Sequence, residues 1–291
     1  MLYLIASIVF SVVLLLNFRI FPSYKVNTFQ AIVFNYPVCF LTGLILMPAK
    51  SHFTVDFSQT WTYIALGIGV AFILTFLLSG ASTQKRGITA TSLANNLSLV
   101  LPVCASLFLF GSTQNFSTLN YIGLVLALLA VGLSTFKETK NTKTQSADNL
   151  LPIAVFMMYG LTNTVINYMN IHYIKSTDST IPVTLTMILG AIVTGFVMLV
   201  YKLLKGTEKI EKQNIIAAFT LGIPNFLSFY ALLMALSSFK GNGALVYPLY
   251  NIGVIIVSSL VANVFFKEKL EFINKIGLAL AVLAIAMIAW Q

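Results

Sequence analysis

Ten apolar runs, each close to the length of a membrane crossing, alternate with short polar breaks along the chain. They lie near residues 2–21, 29–47, 61–82, 88–110, 118–136, 150–170, 180–201, 214–236, 242–266 and 274–290. A polar stretch, Lys137 to Asn149 (KETKNTKTQSADN), divides the fifth from the sixth. A spanning helix takes about 20 mostly apolar residues at about 1.5 Å rise each. The runs are too long for the strands of a membrane barrel and lack strict alternation. The pattern therefore predicts an all-α integral membrane protein with ten transmembrane helices.

Composition strengthens this reading. Soluble domains are about one quarter charged, whereas here 9% of residues are charged and 58% are hydrophobic. The mean hydropathy is +0.91. Short loops leave no room for a soluble domain. Residues 1–21 open Met1-Leu2-Tyr3, without the basic n-region of a signal peptide, and read as the first retained span.

The net charge of +9 does not indicate a nucleic-acid partner, because the basic residues are scattered between apolar runs. The partner they imply is the lipid bilayer. Of the 17 lysines and arginines, only Lys50, Lys175 and Lys240 follow even-numbered runs. The positive-inside rule then puts the odd loops in the cytoplasm and both termini outside. Cys39 and Cys104 fall inside spans, without disulfide or metal-ligand spacing, and read as small packing residues.

The two halves resemble each other. Residues 122–130 (IGLVLALLA) align with residues 276–284 (IGLALAVLA), and seven of the nine positions are identical. The same offset pairs Arg86-Gly87 with Lys240-Gly241, and Asn120 with Asn274. This register divides the chain into a first five-helix repeat at 1–136, a polar loop at 137–149 and a second five-helix repeat at 150–291. An odd number of spans per repeat forces the halves into opposite orientations. Inverted repeats of this kind place a transporter's substrate site near the midplane, where the halves meet.

The ending of the second half carries a family resemblance. Phe266-Lys267-Glu268-Lys269-Leu270, then Asn274-Lys275-Ile276-Gly277 and a last apolar run, resemble the "gE+l…iG" repeat ending of the drug/metabolite transporter superfamily, specifically its EamA-like ten-helix transporters. Gly111 to Phe116 (GSTQNF) departs from that pattern in the first half, although Asn120 and Gly123 keep the register. The resemblance implies two inverted five-helix repeats, a small-metabolite exporter, and a bacterial inner (plasma) membrane. It also implies both termini inside, against the charge count, which we follow.

Chemistry within the spans is neutral. All eight acidic residues and both histidines fall in loops or at helix ends, so a carboxylate-based proton relay is not expected. There is no H-E-x-x-H, no G-x-S-x-G and no buried pair of aspartates, so the chain does not read as an enzyme, and no metal or cofactor is expected. Amides, hydroxyls and tyrosines recur at helical spacing instead. Tyr159, Asn163 and Asn167 share one face of span six, which Asn170 extends. Asn95 and Asn96 lie on span four, with Thr91, Ser92 and Ser98, and span three adds Thr75, Ser79 and Ser82. Tyr247 and Asn251 share a face of span nine beside Tyr250, and Asn225 follows Pro224 in span eight. An amide facing lipid is costly, so these faces are expected to line a cavity for a small-molecule substrate or to bond between helices. A lone hydroxyl has a third choice, its own helix backbone.

Pro102, Pro224 and Pro248 are internal to spans and are candidate hinges, since each frees a carbonyl one turn upstream. Gly123/Ala127 and Gly277/Ala281 repeat a small-residue spacing in spans five and ten, expected to serve packing or a homodimer face. The sequence reading is thus a transporter of a small polar metabolite, such as an amino acid or related solute, working by alternating access. The alternatives are a channel-like facilitator and a non-transporting membrane scaffold or enzyme partner.

Overall fold

A computed structural model describes residues 1–47, 52–108, 117–135, 148, 150–173, 180–239, 243–268 and 272–289. Among them every regular element is helical. The helices are α1 (Leu2–Ile20), a 3-10 turn (Phe21–Tyr24), α2 (Thr28–Ile45), α3 (Thr60–Arg86), α4 (Ile88–Leu97), α5 (Val100–Phe108) and α6 (Thr118–Thr135). The second half follows with α7 (Leu151–His172), α8 (Thr180–Leu204), α9 (Lys212–Ser238), α10 (Gly243–Phe266) and α11 (Phe272–Ala289). Helix covers each of the ten predicted segments, the fourth in two pieces. Among the described residues, seven helical stretches are long and apolar enough to cross a membrane. Thr118–Ala130 and Phe272–Ile288 are shorter apolar helices.

Outward-facing residues show the intended solvent. Ile45, Leu204 and Phe265 are 81%, 84% and 73% exposed, and many other large apolar side chains also point outward. Apolar surface of that extent suits lipid rather than water. The chain is a multi-pass α-helical membrane protein.

Local chemistry sets the helix ends. The Asn27 side chain caps α2 by accepting from the Gln30 amide. The break between α4 and α5 has a backbone cause. Pro102 has no N–H to offer the Ser98 carbonyl, which accepts from the Leu101 amide instead and tightens that turn.

Packing is closest where side chains are smallest. A Cβ on Gly69 of α3 would run into the backbone of Gly190 and Ala191 of α8, and one on Gly190 would strike the Leu66 backbone. The two helices touch main chain to main chain. Helices α6 and α11 pair with Gly123, Ala127, Gly277 and Ala281 buried between or beside them. Asn120, near the start of α6, donates to the Met287 and Ile288 carbonyls at the end of α11. Asn274, near the start of α11, donates to the Leu133 carbonyl at the end of α6. The small-residue faces are thus covered within one chain, and a homodimer would have to use other residues of these helices.

Candidate functional site

Most polar side chains within the helices are paired. Threonines 42, 75, 162, 164, 186 and 194 each bond the carbonyl four residues back in their own helix. Ser82 meets Thr91 at 2.7 Å, and Ser258 donates to Ser92 at 2.7 Å. The threonines spend their protons on their own helices, while the Ser92–Ser258 bond joins α4 to α10 and the Ser82–Thr91 bond joins α3 to α4.

The amides divide into two groups. Asn96 donates to the Ser92 carbonyl at 2.8 Å, and Asn225 donates to Asn35 Oδ1 at 3.3 Å. Of the amides proposed for a cavity, these two are engaged within the protein through Nδ2. The other four, Asn95, Asn163, Asn167 and Asn251, make no side-chain hydrogen bond among the described residues. Asn251 is only 4% exposed; the other three are half-buried. They come from α4, α7 and α10, and α4 is the element against which both α7 and α10 pack.

Tyrosines border the same region. Tyr159, one turn before Asn163 on α7, accepts from Ser79 of α3 at 3.4 Å, and Tyr250 of α10 pairs with Ser11 of α1 at 2.7 Å. Tyr36 of α2 and Tyr159 meet neighbouring turns of α3, at Phe76 and Ser79. Tyr247 stands one turn before Asn251, 43% exposed and without a hydrogen bond among the described residues. The Asn170 side chain, the Gly111–Phe116 turn, Lys240-Gly241 and most of the inter-repeat loop lie outside the described residues.

Three features escaped the sequence reading. Asn17 of α1 serves the Pro224 break: its Nδ2 donates at 2.9 Å to the Thr220 carbonyl, the one that Pro224 leaves without an N–H. Thr220 Oγ1 returns a bond to Asn17 Oδ1 at 2.8 Å. Helix α9 therefore continues through its proline with the freed carbonyl satisfied. Asn17→Leu is expected to cost about 1–3 kcal/mol, because it strands a buried carbonyl. In a Pro224→Ala background that carbonyl regains an N–H and the cost shrinks. A double-mutant cycle on thermal unfolding measures the coupling, and strictly additive losses would refute this role for Asn17.

The second is a polar cleft of about 540 Å³ where the chain between α1 and α2 meets the loop between α8 and α9. Glu208 accepts from Asn27 Nδ2 at 2.7 Å and Gln30 Nε2 at 2.8 Å, and pairs with Lys202 at 3.4 Å. Asn214 completes the tie, accepting from the Asn27 backbone and donating to Gln30 Oε1. The third is the sequence Asn35-Tyr36 just before Pro37. Polar residues adjoining a helix-internal proline were the signal used at Pro224 and Pro248, and it applies here equally.

Glu268 is a helix-end charge, as its position suggested, but its partners are distant ones. Its carboxylate accepts from the Ile88 amide at 2.9 Å at the start of α4 and lies 3.8 Å from Arg19. Gly87, at φ +96°, lets the chain pass beneath it, since a Cβ there would lie 2.7 Å from the carboxylate. Glu268→Gln is expected to lower stability by about 1 kcal/mol through the weaker helix cap. Thermal unfolding of the purified variant measures the loss, and an unchanged melting temperature would refute the capping role.

No family model matches the chain. An uncharacterised protein of Haemophilus influenzae is 29% identical over 290 residues, covering 97% of this chain and 95% of that one. A solved crystal structure matches with a TM-score of 0.60 at 14% identity, covering 97% of this chain and 95% of its own. At that identity the likeness is one of fold alone.

Proposed function

We propose that the protein transports a small polar, net-neutral metabolite by alternating access between two inverted five-helix halves, in the manner of an EamA-like member of the drug/metabolite transporter superfamily. The observation that carries the reading is the set of unpaired amides on α4, α7 and α10. Asn251 is buried and the other three are half-buried, and none of the four side chains bonds to a described group. A solute in transit would supply the partners.

Packing supports the inverted-repeat part of the reading. Exchanging each helix for its counterpart in the other half turns the pair α1/α9 into α7/α3, and α2/α9 into α8/α3. The reciprocal bonds of Asn120 and Asn274 across α6 and α11 obey the same exchange. An exporter in a bacterial inner membrane is the direction and place this family reading favours.

Reconstitution tests the proposal. Proteoliposomes should take up net-neutral metabolites faster than empty vesicles, with saturation and with acceleration by the same solute on the far side. Uptake that rises linearly with concentration would favour a pore, and no uptake beyond empty vesicles would favour a scaffold.

A further inference from the structure

Tyr36 of α2 is 2% exposed, and its hydroxyl has no hydrogen-bond partner among the described residues; the adjacent Asn35 is fully buried, and its Nδ2 has none there either. On Asn35 the lack is confined to donors, whereas the Tyr36 hydroxyl is free both to donate and to accept. Asn35 Oδ1 already accepts from Asn225 Nδ2, so what remains on that side chain is N–H. Ser79 donates its proton to Tyr159, which leaves the Tyr159 O–H free to donate as well. A buried donor without an acceptor is costly, and native structures rarely hold two on neighbouring residues without a reason.

The surroundings narrow what could accept from them. Tyr36 sits in an apolar wall with Ile73 and Phe226, its ring 5.8 Å from that of Phe76. The basic residues of the surrounding helices stand at their ends: Arg19, Lys85, Arg86 and Lys202 in last turns, and Lys212 at the start of α9.

We propose that Tyr36, Asn35 and Tyr159 are the donors that recognise the transported solute. They bind an oxygen acceptor, a carbonyl or the carboxylate of a zwitterion, on a net-neutral molecule whose apolar body lies against the Phe76 side of the site. This assignment rests on the transport reading above and names the class of solute for it. A net anion or cation would enter a site with no compensating charge, and a polyol would set hydroxyls against the aromatic wall.

The experiment compares wild type and Tyr36→Phe in proteoliposomes with five probes: L-leucine, hexanamide, mannitol, L-glutamate and tetraethylammonium. In wild type, flux of L-leucine or hexanamide should exceed that of the other three. In Tyr36→Phe that flux should fall about tenfold at low concentration, through weaker binding. The melting temperature should stay the same or rise, because the lost hydroxyl bonds to nothing in the protein. Tyr159→Phe should behave alike in flux. If only mannitol, glutamate or tetraethylammonium is carried, or if Tyr36→Phe leaves the flux unchanged, the assignment is wrong while transport stands. A drop in melting temperature with unchanged flux would make Tyr36 a packing residue. If no probe crosses faster than through empty vesicles, the transport reading falls and this inference with it.

Discussion

Gly190→Leu is expected to prevent the protein from being recovered as a monodisperse, folded species. The reason is the main-chain contact between α3 and α8. A Cβ at residue 190 would strike the Leu66 backbone, and neither helix can yield without shifting its whole length. Inserting bulk into a packed core costs about 1–3 kcal/mol where side chains can adjust. Here the obstacle is backbone, so the cost should reach or exceed the top of that range. Gly69→Leu should behave the same way, since its Cβ would meet the backbone of Gly190 and Ala191. Gly67 provides the control: no atom lies within 4 Å of a Cβ added there. Gly67→Leu makes the same chemical change on the same helix and should be nearly neutral. Size-exclusion profiles and melting temperatures of the three variants decide the matter, and a well-behaved Gly190→Leu protein would contradict the close crossing.

How legible all this was in the sequence depends on the range of the interaction. Helix positions were readable to within a few residues, because lipid compels about 20 apolar residues to satisfy their backbone internally. The interruption between α4 and α5 was legible only as Pro102. Its exact place at Ser98 and Leu99 depends on which carbonyl the missing N–H abandons. Amide stripes were readable from spacing, but not the difference between a free and a bonded amide. Asn95 and Asn96 are neighbours in sequence, and only the structure shows Asn96 bonded to the Ser92 carbonyl while Asn95 has no such partner. The Glu208 tie joins residues about 180 positions apart, and no local pattern signals it. Asn17 was a lone amide in an apolar helix. Its role became visible only when α1 and α9 were seen to pack at Pro224.

Asn163→Leu and Asn251→Leu are expected to reduce flux at least about tenfold while leaving thermal stability near wild type. Neither side chain hydrogen-bonds to another described group, so replacing it breaks no hydrogen bond among the described residues. At half-buried Asn163 such a change shifts stability by no more than about 0.5 kcal/mol, and at buried Asn251 an apolar side chain removes an unpaired amide. A solute that bonds these amides in transit loses a partner, and one such bond is worth about 1–1.5 kcal/mol or more when its mate is left buried. About 1.4 kcal/mol corresponds to tenfold in affinity. Asn96→Leu supplies the contrast. Its Nδ2 bonds the Ser92 carbonyl beside the Ser92–Ser258 link between α4 and α10. It should lose stability, with flux per folded molecule less affected than in Asn163→Leu. The measurement is uptake per folded protein, with folding quantified by size-exclusion recovery and melting temperature on the same preparations. If Asn163→Leu and Asn251→Leu lose stability and keep their flux, these amides join helices rather than meet a solute, and the binding surface must be sought on other faces of the bundle.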